Sequence, residues 1–97
     1  MFYFLYTKKG SRKHLPAHQF TGNNLTHTRY FLEHSQHEFN CRPVGGKFEY
    51  DIPTPNGLET VTHGDWIAVN KDGELEVYTP TAFAAMFKHT GKQIVLE

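Results

Sequence analysis

Between Lys47 and Tyr78 four short runs alternate apolar and polar side chains with a period of two, and clusters of Gly, Pro, Asn and Asp cut each run short. A chain punctuated in this way folds around antiparallel hairpins. In Phe48-Glu49-Tyr50-Asp51-Ile52 the apolar side chains share one strand face and the two acids share the other, which is expected to be solvated. Pro53 and Pro55 stop that run, Asn56-Gly57 supplies the tight turn, and Leu58 to Thr62 returns antiparallel. Asp65 to Val69 then meets Glu74 to Tyr78 across Asn70-Lys71-Asp72-Gly73, with Leu75 and Val77 turned inward and Glu74 and Glu76 turned to water. His63-Gly64 marks a bend in which Asp65 accepts from local backbone N–H groups. Trp66 and Ile67 point to opposite faces, so both pack only if the sheet is covered on both sides. Core packing is the reading for Trp66, and exposure would make it an interaction patch.

Elsewhere the period changes to that of a helix. Asn24 is placed to cap a segment whose Leu25, Phe31 and Leu32 face the core, and which ends near Ser35 to Glu38. Beyond it the chain runs extended through Phe39, Cys41 and Val44 to a break at Gly45-Gly46. Thr79 and Pro80 open a second helix carrying a Phe83, Met86, Phe87 stripe, which Gly91 closes before a last strand over 92–97. The opening Met1 to Tyr6 reads as a first strand, because its six apolar residues fall far short of the roughly 20 that cross a bilayer and Lys8 and Lys9 follow at once. Residues 17 to 20 form a short extended piece. The expected fold is α+β: a mostly antiparallel sheet of five to six strands, with two hairpins, packed with two short helices. At 97 residues the chain holds one core, hence a single domain over 1–97, and its eight Phe and five Tyr make that core aromatic.

Two of these segments resemble a known group. Phe20-Thr21-Gly22-Asn23-Asn24, leading into a helix, is similar to the W-T-G-[DN]-N helix entry of a family of small bacteriophage-encoded proteins. Gly64-Asp65-Trp66-Ile67, followed by a hairpin, Pro80 and Phe83, resembles that family's P-G-D-[WY]-I strand, return strand and P-x-x-F helix. His63 stands where the family has Pro, and Phe20 where it has Trp. The resemblance spans about residues 17 to 87 and implies a setting, a viral protein in the cytoplasm of an infected bacterium, rather than a reaction. It transfers no catalytic residue.

Read for chemistry, the seven histidines are the unusual count. His27, His34 and His37, with Cys41, are the only grouping that suggests a metal or a Cys/His-dependent enzyme, yet no Cys pair or H-E-x-x-H completes a ligand set. Cys41 is the single cysteine, which excludes an internal disulfide. No phosphate-binding glycine motif is present. Charge is zero overall but uneven: residues 1–46 hold six Lys and Arg against two acids, and residues 47–78 hold two against seven. Lys8, Lys9, Arg12 and Lys13, beside Tyr3 and Tyr6, are the basic loop a nucleic-acid-binding module would use. Glu49, Asp51, Glu74 and Glu76, with Trp66, are the acidic and aromatic groups a protein-docking face would use. The docking reading is preferred: a non-enzymatic protein needing no cofactor, whose partner is a host or phage protein or a second copy of itself, rather than nucleic acid or a membrane.

Overall fold

The computed structural model describes residues 1–35 and 38–96. Within them the fold is α+β, with two helices and eight strands in two antiparallel sheets. The strands are β1 (Phe2–Lys8), β2 (Leu15–Gln19), β3 (Asn40–Val44), β4 (Lys47–Thr54), β5 (Gly57–Val61), β6 (Trp66–Val69), β7 (Leu75–Tyr78) and β8 (Phe87–Val95). The helices are α1 (Leu25–His34) and α2 (Pro80–Met86). One sheet has the order β7-β6-β2-β1-β8 and the other β3-β4-β5.

The strand count exceeds the expected five to six because β2 and β3 carry no readable alternation. Every side chain of β3 is exposed, and β2 mixes Pro16, His18 and Gln19 with two apolar residues. The sequence therefore joins into one sheet what the backbone divides into two. Gly45-Gly46 proves to be a turn rather than a break: Val44 pairs with Lys47 across it. Both glycines have positive φ, 56° and 79°, the geometry that lets a two-residue hairpin loop follow strand twist. In the next hairpin Thr54 pairs with Gly57, so the corner is Pro55-Asn56 and not Asn56-Gly57.

Two helix-end expectations are also corrected. Asn24 stands at the N-cap, yet its side chain does not cap the helix. It turns backward, accepting from Thr21 N at 3.0 Å and from Thr28 Oγ1 at 3.3 Å, and donating through Nδ2 to Gln19 O at 2.9 Å. Local backbone partners in the preceding loop have outcompeted the helix amides. At the other helix Thr79 does cap, accepting from Ala82 N at 3.2 Å. But α2 stops at Met86, and Phe87 is already extended and paired with Lys8. Gly91 lies within β8, in the stretch where the register against β1 shifts. The ladder with β1 claims the Phe87 backbone while its ring still stacks on Phe83 at 4.4 Å, so the helical stripe is real and the helical backbone is not.

Each face of the five-stranded sheet carries a buried cluster. On one face, Tyr3, Ile67 and Leu75 pack with Phe20, with Phe31 and Leu32 of α1, and with Tyr50, Ile52 and Val61 of the small sheet. The Tyr3 hydroxyl donates to His27 O at 2.6 Å and the Tyr50 hydroxyl to Leu25 O at 3.1 Å, so each sheet grips α1 through a buried phenol. Burial raises the pKa of both hydroxyls, that of Tyr50 to about 12, which keeps them neutral donors. On the other face Phe83 of α2 sits among Tyr6, Ala17 and Ala68, flanked by Trp66, Tyr78 and Phe87. Trp66 and Ile67 thus pack on opposite sides of one strand, as the two-sided arrangement requires.

Candidate functional site

Phe20-Thr21-Gly22-Asn23-Asn24 and Gly64-Asp65-Trp66-Ile67 meet in space. Gly64 N donates to Phe20 O at 2.6 Å, Phe20 N to Asp65 O at 2.9 Å, and Gln19 Nε2 to Gly64 O at 3.0 Å. Asp65 Oδ2 accepts from both Thr62 N and Thr62 Oγ1 at 3.1 Å, closing the turn as expected of it. Gly22, at φ +87°, lies under the His63 ring, whose nearest atom would stand 2.5 Å from a Cβ placed there. The geometry is that of a structural corner. Because His63 is exposed and its ring can swing aside, Gly22→Ala should cost about 1–2 kcal/mol, set by the left-handed backbone rather than by the clash. Urea unfolding checks this: Gly22→Ala alone and combined with His63→Ala should lose the same amount relative to their parents.

Among the described residues, the metal and Cys/His candidates do not converge. His27 Nε2 faces Phe2 O at 3.1 Å and its ring packs on Tyr3. His34 Nδ1 faces Tyr30 O at 3.0 Å with its ring on Tyr30. Cys41 is exposed on β3, across the ladder from Tyr50, and His37 lies outside the described residues. Among the described residues no three His, Cys, Asp or Glu side chains gather as a metal site would require.

The acidic candidates separate into two places. Glu49 and Asp51 lie on the outer face of the small sheet, but Asp51 is buried rather than solvated. Arg42 Nε donates to its Oδ2 at 2.5 Å and Arg42 Nη2 to its Oδ1 at 3.1 Å, while Thr60 Oγ1 donates to Oδ1 at 2.7 Å. Those hydrogen bonds, with the Arg42 charge, hold the Asp51 pKa below the ordinary carboxylate value. Arg42 also lies 3.8 Å from Glu49, so its single charge offsets about half of the charge of the two acids. Glu74, just before β7, and Glu76, within it, share the Asn70 side-chain amide, and Glu76 accepts from the Tyr78 hydroxyl at 2.5 Å. Trp66 is half-buried, its ring stacked on Phe83 at 3.9 Å and 3°.

Of the basic loop, Lys9, Arg12 and Lys13 are exposed, while Lys8 Nζ donates to the Tyr78 hydroxyl at 3.2 Å. Tyr3 and Tyr6 are both buried, so neither offers a ring on which a base can stack.

What sequence reading missed is the beginning of β1. Phe2, Phe4 and Val95 are 63%, 43% and 49% exposed. Phe2 and Phe4 share a sheet face, and Val95 pairs with Phe2, so the three form one strip. That face is the one α2 covers, but Phe83 makes its ring contacts with Trp66, Tyr6, Tyr78 and Phe87, and not with Phe2 or Phe4. The available signal was the unbroken apolar run of the first six residues, which supplies more rings than a seven-residue helix can roof. Comparison of the chain with protein-family models, with characterised proteins and with solved structures finds no match.

Proposed function

We propose that this chain is a non-catalytic bacteriophage accessory protein that acts in the host bacterial cytoplasm by docking on another protein and occluding part of its surface. The observation that carries the docking reading is the Phe2, Phe4, Val95 strip, a contiguous apolar patch on the part of the sheet face that α2 leaves open. Gln93 and His89 of β8, paired with Phe4 and Tyr6, lie beside it, and the His89 ring packs on Phe4 at 4.8 Å. An apolar centre with a polar rim fits a partner surface that carries an apolar spot of its own. The viral setting is supported by the two sequence segments that carry the resemblance, which fold into a single corner of this chain.

The test is capture from bacterial lysate with wild type, with Phe2→Ser/Phe4→Ser, and with Glu49→Lys/Glu74→Lys, all three first shown by circular dichroism to melt alike. A stoichiometric protein held by wild type and by the acid-face variant, and lost by the strip variant, is the expected result. Equal capture by wild type and strip variant overturns the strip as the docking face. Loss confined to the acid-face variant moves docking to the acidic side.

A further inference from the structure

A concavity lies on the α2 side of the large sheet, where the β1–β2 loop approaches the β6–β7 turn. Its floor is apolar, formed by Leu15, Ala68 and Phe87, and Lys8, Asp72 and Glu76 stand on its rim with Lys71 beside them. The volume is about 270 Å³, just under the roughly 300–1,000 Å³ of pockets for drug-sized ligands, so an occupant is the size of one residue and not of a nucleotide. The rim carries two cations and two anions, giving a dianion such as phosphate no net attraction.

The charges are also held close together. Lys8 Nζ donates to the Tyr78 hydroxyl at 3.2 Å, and that hydroxyl donates to Glu76 Oε1 at 2.5 Å. Asn70 Nδ2 donates to Glu76 Oε2 at 3.3 Å, so the carboxylate is positioned from both sides. An ammonium and a carboxylate separated by one phenol oxygen, above an apolar floor, complement a molecule whose opposite charges sit on two groups attached to one carbon that also bears an apolar tail. We propose that this cleft binds a free α-amino acid with an apolar side chain: its carboxylate on Lys8 and Lys71, its ammonium on Glu76 and Asp72, its side chain over Leu15 and Phe87. This site is separate from the Phe2, Phe4, Val95 strip and does not depend on the docking reading.

Titration calorimetry of the full chain with L-leucine and L-phenylalanine tests it, with three comparison ligands. N-acetyl-leucine keeps only the carboxylate, as at a peptide C-terminus; leucinamide keeps only the ammonium, as at a peptide N-terminus; glycine lacks the side chain. Saturable one-to-one binding of leucine or phenylalanine is expected, weakened at least tenfold in all three comparisons. Lys8→Met, which retains the aliphatic stem, should weaken binding at least tenfold with an unchanged melting curve, and Lys71→Ala on the exposed turn should weaken it severalfold. Absence of saturable binding overturns the proposal. So does equal binding of N-acetyl-leucine or leucinamide, which would assign the cleft to a peptide end. Full affinity in both lysine variants overturns it as well.

Discussion

Phe83→Ala is expected to remove about 3–5 kcal/mol of folding stability, a large share of the roughly 5–15 kcal/mol that holds a domain together. Phe83 is the buried residue of α2, and its ring lies stacked between Trp66 at 3.9 Å and Phe87 at 4.4 Å, with Tyr6 edge-on at 5.1 Å. Seven residues are too few to form a stable helix in water, so α2 exists because this ring is docked. Truncating it opens a cavity among four aromatic rings and releases the helix at once. Phe83→Leu retains most of the volume and should cost under about 1.5 kcal/mol. Urea unfolding followed by far-ultraviolet dichroism and by Trp66 emission measures both, since the tryptophan reports the stack directly. A loss below 1 kcal/mol in the alanine variant would mean that α2 is held by its cap and backbone instead.

The same ring explains what was legible beforehand. Thr79, Pro80 and Phe83 announce a capped helix with an apolar stripe, and the alternation in β4 to β7 announces hairpins, because those signals are local. What stayed hidden was decided by partners distant in sequence. Phe87 reads as helical until β1, nearly 80 residues earlier, takes its backbone into a ladder. Asp51 reads as solvated until Arg42 and Thr60 close over it from the strands on either side. Gly45-Gly46 was a missed local signal, for a glycine pair between extended runs is itself a hairpin indicator. The candidate strip was illegible for another reason. An apolar run shows that its side chains favour burial, but only the length and placement of α2 determine which of them, Tyr6 or Phe4, is covered.

His18, which sequence reading passed over, makes the second large prediction: its contribution to stability should be constant above about pH 7.5 and fall by about 3 kcal/mol on the way to pH 4. The imidazole is buried, with Nε2 2.8 Å from Thr28 Oγ1 and 3.4 Å from Asn24 Nδ2, and its ring packed against Tyr3, His27 and Phe31. Burial, and secondarily the charge of His27, lower its pKa from 6.5 to about 4. In the unfolded chain the ring takes its proton near 6.5, while in the native state it waits until about 4. Between those values the unfolded state binds more protons, so acid favours unfolding by about 1.4 kcal/mol per pH unit, and below both values the loss is complete. Asp51 adds an acid-labile contribution of its own, but its pKa is lowered from 3.8, so that loss begins only where the His18 loss ends. The two are therefore separable in one titration of urea midpoints. His18→Gln should be less stable than wild type at pH 7.5, since it loses the ring packing, yet nearly flat between pH 6.5 and 4.5. His14→Gln, altering an exposed histidine, should leave the wild-type curve in place. An equally steep fall in His18→Gln would assign the acid sensitivity to another group.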